Sequence, residues 1–165
     1  MKAVGGAKEG KLTMNFTFEK EISSKFIDEI YDLAKDYTKD FFTAGFPDDM
    51  RVDMEFQRAF YLSDCGRVVS CIIYTCLDGS IHITMMLTDR RFAGKGYGTK
   101  LMTEFEKHVS EYGIRSIELY TFSHETRPVY LQTISFYEKS GFKIIKEHKD
   151  LWEKGTSTLK MRKSW

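Results

Sequence analysis

The chain has 165 residues, 42% of them hydrophobic and 15% aromatic, which is enough for one well-cored domain and too little for two comfortable ones. A formal net charge of +1 excludes a generally basic nucleic-acid binder and a generally acidic chain. No stretch approaches the roughly 18 apolar residues of a membrane span, so neither nucleic acid nor membrane is expected as a partner.

Met1 to Lys11 is rich in Gly and Lys and lacks an apolar signal core. It reads as a flexible tail over residues 1–11, ahead of a single domain over residues 12–165. Leu12 to Ile22 alternates Met14, Phe16 and Phe18 with polar residues, which predicts a strand. Ser23 and Ser24 offer an N-cap, and Phe26, Ile27, Ile30, Leu33, Tyr37 and Phe41 recur at helical spacing. Thr43 to Asp53, with Gly45 and Pro47, breaks that helix and leaves room for a short second one.

Three antiparallel strands are predicted next. Ala59 to Asp64 turns at Cys65-Gly66 into the β-branched run Arg67 to Leu77, and Asp78-Gly79 turns again into Ile81 to Thr88. The cysteines Cys65, Cys71 and Cys76 fit neither a disulfide framework nor paired metal ligands, so no metal is expected. They read as buried free thiols, which suits a reducing, cytoplasmic setting. Leu101, Phe105, Val109 and Tyr112 then mark an amphipathic helix ended by Gly113. Ile114 to Phe122 is a further strand, and Arg127-Pro128 opens a helix that Gly141 closes. Phe142 to Leu151 and Thr156 to Trp165 form a last hairpin. This order predicts an α/β chain, with helices on both faces of a mixed, mostly antiparallel sheet.

Gly94-Lys95-Gly96-Tyr97-Gly98-Thr99 sits between a predicted strand and a predicted helix. Glycines there let a backbone approach a ligand, and unpaired amides at a helix N-terminus favour phosphate. Arg90, Arg91, Lys95 and Lys100 place four cations around the same turn. The spacing fits neither a Walker A loop nor a dinucleotide fingerprint, which needs its third glycine at 99 rather than 98. A turn that only lets the helix pack closely on the sheet is the bland alternative.

Leu87 to Met102, LTDRRFAGKGYGTKLM, resembles the [RQ]-x-x-G-x-[GA] signature of the GNAT N-acetyltransferases. Phe136 to Phe142, FYEKSGF, resembles that superfamily's second block, and the element order matches from Leu12 to Trp165. The resemblance implies a GNAT-like sheet whose two splayed parallel strands, Ile81 to Thr88 and Ile114 to Phe122, hold acetyl-CoA. Leu87 and Thr88 would pair with the pantetheine arm. The backbone of Lys95, Gly96, Gly98 and Thr99, with Tyr97 and Lys100 completing the cradle, would hold the pyrophosphate. Two departures stand out: Ala93 occupies the leading Arg/Gln position, and Tyr130 and Thr133 stand where Asn and Ala are frequent.

The implied chemistry is acetyl transfer to a primary amine in a ternary complex. Tyr137 falls on the family tyrosine near the thioester sulfur and is the candidate acid. Glu118 is the candidate base, with Tyr120, His82 and His124 as alternatives. Asp28 to Glu55 carries nine acids against three bases, a local net charge of −6 in the region that borders the acceptor in the family. Asp48 and Asp49 are therefore candidates for contact with a small cationic or peptidyl amine. A non-catalytic acyl-CoA-binding or regulatory module on the same fold is the competing reading. Pairing of GNAT folds through their C-terminal strands makes Trp152, Leu159 and Trp165 candidates for a homodimer contact, or else for the core.

Overall fold

A computed structural model describes residues 13–43 and 45–165; the tail expected over residues 1–11 lies outside them. One seven-stranded sheet organises the chain, in the order β1-β2-β3-β4-β5-β7-β6. Its strands are β1 (Met14–Glu19), β2 (Arg58–Asp64), β3 (Arg67–Leu77), β4 (Ser80–Thr88), β5 (Ser116–Phe122), β6 (Lys143–Lys149) and β7 (Ser157–Ser164). Four helices connect them: α1 (Ser24–Thr38), α2 (Phe46–Asp53), α3 (Tyr97–Glu111) and α4 (Leu131–Lys139).

Local chemistry explains most boundaries. Ser23 caps α1, its hydroxyl accepting from the Phe26 amide. Both β2-β3 and β3-β4 turn through two residues with positive φ, Cys65-Gly66 at 48° and 77° and Asp78-Gly79 at 52° and 72°. Such turns match the right-handed twist of the flanking strands. This geometry corrects the expectation of three buried thiols: Cys65 sits in one turn and Cys76 near the other, and both are exposed. Only Cys71 is buried, and burial pushes its thiol well above the ordinary range.

β3 is the centre of the molecule, with Val68 to Tyr74 all buried. One face of the sheet packs under α3 and α4, where Leu101, Met102, Phe105 and Ile134 meet Leu62, Ile72, Ile117 and Leu119. The other face packs under α1 and α2, where Phe26, Ile30, Met50 and Met54 meet Ala59, Cys71, Ile73 and Met85.

Every strand pair is antiparallel except β4 with β5. That parallel pairing lasts only from Ile81 opposite Ile117 to Ile83 opposite Leu119. An irregularity in the β3-β4 ladder falls at the same level: Ile73 faces Met85 and Tyr74 faces Ile83, which leaves Thr84 over. An extra residue bends its strand and increases local twist. Here it turns β4 away from β5 and opens a fork. Both strands keep their outer partners, β3 and β7, so each presents an unpaired edge to the gap.

Below the fork, Glu118 is buried on the sheet face opposite α3 and α4. Its carboxylate accepts from the Arg162 guanidinium and from Lys160 Nζ at 2.8 Å, and His82 Nδ1 lies 3.6 Å away. Burial alone would raise this carboxyl pKa, but the two cations outweigh it and hold the group below its usual range. A carboxylate with a lowered folded pKa stabilises above its unfolded pKa of about 4.3 and loses that contribution as pH falls through the folded value. Glu118→Gln should therefore lower stability at pH 7 by about 2 kcal/mol, less than a fully buried pair because Arg162 is half exposed. Thermal melts from pH 7 to pH 3 check this: the gap between wild type and variant should close below about pH 4.

Candidate active site

The loop between β4 and α3 forms the first part of the site. Asp89 is buried, caps a short 3₁₀ turn at Arg90–Phe92 and binds Arg91 through Nε at 3.0 Å and Nη2 at 2.5 Å. Arg90 reaches back to α1, donating to the Asp36 carbonyl at 2.6 Å and stacking 4.3 Å over Tyr37. The expectation of four cations around the glycine turn is corrected accordingly. Arg90 and Arg91 are committed to α1 and Asp89, and Lys95 and Lys100 remain beside the turn.

Gly94 and Gly96 have φ of 72° and 84°, a region costly for any residue with a Cβ. This pair of left-handed glycines lets the chain turn sharply into α3, with Gly96 as its N-cap. The first bond of the helix is Lys100 N–H to the Gly96 carbonyl at 3.0 Å. Among the described residues, the amides of Gly94, Lys95, Gly96, Tyr97, Gly98 and Thr99 make no hydrogen bond within the protein. That leaves six consecutive donors unpaired at the positive end of a 15-residue helix. Ala93 ends the 3₁₀ turn and adds only a methyl group.

The fork opens onto a cavity of about 480 Å³. Met85, Met86, Leu87 and Thr88 line it from β4, and Leu119, Tyr120, Thr121 and Phe122 line it from β5. Tyr137 and Thr133 contribute from α4, and Tyr37, Phe41, Phe42 and Phe46 from the α1–α2 region. The cavity thus reaches both faces of the sheet. Among the described residues, no Asp, Glu, His, Lys or Arg is in its lining.

Tyr137 is buried, lines the cavity and makes no hydrogen bond through its hydroxyl among the described residues. Burial, with a smaller effect of neighbouring Tyr130, holds its phenol far above the usual range, so it keeps its proton at neutral pH. The structure does not bring Glu118 to the cavity. Glu118 lies where β4 and β5 are still paired, opposite His82, and its carboxylate is held by Arg162 and Lys160 on β7. His82 and His124 also lie outside the lining, whereas Tyr120 is part of it.

Asp48 and Asp49 stand in the first turn of α2, exposed and outside the cavity. Asp48 accepts from the Tyr31 hydroxyl at 2.9 Å. Much of the surrounding acidity is paired locally, Asp32 with Lys35 at 2.9 Å and Asp40 with Arg90 at 3.2 Å. Of the C-terminal apolar residues, Leu159 is in the core, Trp152 lines the cavity and Trp165 is exposed.

Two contacts escaped the sequence reading. Tyr37 donates to the carbonyl of Thr88, and Tyr130 donates to the carbonyl of Phe41. Each joins segments tens of residues apart, so no local pattern signals them. The Tyr130 departure noted above is the one available hint.

Comparisons with known proteins follow the same lines. No curated protein sequence matches the chain. Among solved structures it is similar to a GNAT-family acetyltransferase from Desulfovibrio desulfuricans, with TM-score 0.77 and 16% identity over 91% of this chain and 99% of that one. It is also similar to the ribosomal-protein-S18-alanine N-acetyltransferase from Escherichia coli, with TM-score 0.71 and 12% identity over 91% and 94% of the two chains. A third is an acetyltransferase from Bacillus subtilis in complex with CoA, with TM-score 0.68 and 16% identity over 93% and 99%. At these identities the likeness is one of fold. The Acetyltransferase (GNAT) family model matches residues 27–142, from α1 through the glycine loop to the residue before β6. The chain belongs to the GNAT acetyltransferase family.

Proposed function

We propose that the protein is an acetyl-CoA-dependent N-acetyltransferase acting on a primary amine, free or peptidyl, by direct transfer in a ternary complex. The observation that carries this reading is the run of six unpaired amides from Gly94 to Thr99, in the loop that follows β4 after that strand has left β5. A diphosphate bound there would receive backbone hydrogen bonds and the field of the α3 dipole, with Lys95 and Lys100 beside it. The edge of β4 at Leu87 and Thr88 that no strand covers would take the pantetheine arm as an added strand, beside the Thr88 carbonyl that already accepts from the Tyr37 hydroxyl. The CoA complex of the Bacillus subtilis relative supports the same donor.

Transfer then requires attack by the amine nitrogen on the thioester carbonyl. A C–N bond forms, the C–S bond breaks, the amine loses one proton and the thiolate gains one. Tyr137 is the proposed proton donor to sulfur, since its phenol stays protonated in its buried position. Burial raises the thiolate's proton affinity as well, which keeps that transfer from being steeply uphill. An apolar cavity also favours the neutral amine, so the nucleophile sheds its proton as it leaves water. Asp48 and Asp49, outside the cavity, act in this reading only at long range by attracting cationic amines. The free thiols of Cys65, Cys71 and Cys76 accord with a reducing, cytoplasmic setting. Any homodimer would use the exposed Ile144, Ile145 and Trp165 around the C-terminal hairpin.

One observation favours the second reading, an acyl-CoA-binding module without turnover: among the described residues no carboxylate or imidazole lines the cavity to act as base. Two measurements separate the readings. Acetyl-CoA at 100 times its Kd should stabilise the fold by about 2.7 kcal/mol under either. CoA release with a broad panel of amines is expected only for the transferase, and binding without release across the panel would leave the second reading standing.

A further inference from the structure

The cavity wall has a composition that transfer from acetyl-CoA does not by itself require. Six aromatic rings follow one another around it: Tyr37, Phe41, Tyr130, Phe122, Trp152 and Tyr120. Successive centroids lie 5.8, 5.5, 5.3, 5.0 and 6.3 Å apart, and the planes of the first four pairs meet at 62° to 78°. These are edge-to-face contacts, in which each ring is held by its neighbours. The tyrosine hydroxyls of Tyr37 and Tyr130 pin the arc to the backbone at Thr88 and Phe41. Behind it, the Arg127 guanidinium lies 4.5 Å over Phe122.

The arc lies across the fork from α3. The glycine turn and α3 belong to one side of the sheet, as does Tyr137 on α4. Tyr37 and Phe41 come from the α1 side, and Trp152 comes from the turn between β6 and β7. A donor laid along the fork from that turn presents its thioester near Tyr137 and leaves the aromatic arc for the second substrate.

Resting on the transferase reading above, we propose that the acceptor is a monoamine carrying an aromatic ring, an arylalkylamine, with the ring seated in the Phe41–Tyr130–Phe122–Trp152 arc. Aromatic walls bind a ring through area and edge-to-face contacts. Their faces attract a second ammonium group by cation–π contact, but among the described residues no carboxylate lines the cavity to supply a counter-charge in depth. A diamine or polyamine would have to desolvate a charge there with no anionic partner. The single amine of an arylalkylamine escapes this cost by reacting in its neutral form. Trp152, 51% exposed, forms the outer wall and is the arc residue whose loss least disturbs the core.

The test uses the full chain with acetyl-CoA and follows CoA release with 2-phenylethylamine, tryptamine, putrescine and spermidine. The arylalkylamines are expected to show kcat/KM at least tenfold above the two aliphatic polyamines. Trp152→Ala should raise KM for 2-phenylethylamine about tenfold while leaving the Kd of acetyl-CoA unchanged. Equal or better turnover of putrescine, unaffected by Trp152→Ala, would overturn the aryl assignment and leave the transferase reading intact. Octanoyl-CoA binding more tightly than acetyl-CoA, by a margin lost in Trp152→Ala, would also overturn it by showing that the arc holds the acyl chain. Absence of any thermal shift with acetyl-CoA would remove the transferase reading itself.

Discussion

Replacing Tyr137 with Phe should lower kcat about 100-fold, with the Kd for acetyl-CoA and the melting temperature nearly unchanged. The substitution deletes one buried hydroxyl that makes no hydrogen bond among the described residues, so no partner is left unsatisfied. The ring itself stays, keeping its edge contacts with Phe136 at 5.3 Å and Phe142 at 5.6 Å. A loss confined to kcat is thus chemical, not structural. The pH profile gives a second readout. Because the phenol's pKa is raised, it remains protonated across the neutral range, and the acidic limb reports ionisation of the amine instead. Tyr137→Phe should lower the whole profile without moving that limb. A variant within twofold of wild type at every pH would show that the thiolate takes its proton from elsewhere.

Gly96→Val should weaken acetyl-CoA binding by at least tenfold, about 1.4 kcal/mol, and lower stability by about 1–2 kcal/mol. Space is no obstacle, since an added Cβ at Gly96 would meet nothing within 4 Å. The objection is conformational: φ is 84°, and a β-branched residue resists that region. Either the loop keeps its shape under strain, or it relaxes and the six amides no longer converge. Gly98→Ala is the matched control. Its backbone is ordinary, and its new methyl would reach Met86 and Phe136 at 3.6 Å, an unstrained contact. It should change binding by no more than about twofold, an energy of ~0.5 kcal/mol. Isothermal titration of both variants with acetyl-CoA separates backbone shape from bulk. Equal affinities for Gly96→Val and wild type would remove the glycine turn from the donor site.

The two glycine variants mark how far local pattern carries. Asp78-Gly79 specifies a hairpin because both positions tolerate positive φ, and Gly66 offers the same freedom at one position of the other turn; both turns form. Ser23 caps α1 for an equally local reason. The Gly94–Thr99 run announces a backbone that approaches a ligand, and its unpaired amides are a property of any helix start. Each of these features depends on neighbours within a few residues. Residue type and spacing are then sufficient to read them.

Side-chain partners at long range were not legible in that way. Glu118 on a strand beside the fork has the residue type of a base, but its use is decided by Arg162, 44 residues away, which strand pairing places directly opposite. Arg90 and Arg91 look like phosphate ligands until α1 and Asp89 occupy them. Asp48 and Asp49 lie in an acidic stretch, yet the turn of α2 sets them on the outer surface.

By itself, the sequence determined the order of elements, the two tight hairpins, the helix starts and the glycine turn with its unpaired amides, because short-range backbone preferences settle all of these. Only the tertiary structure decided where β4 leaves β5, which acids are spent on ion pairs, and that rings from α1, β5, α4's lead-in turn and the β6-β7 turn meet around one cavity. Those outcomes depend on register and on packing between segments distant in the chain, and no local spacing encodes them.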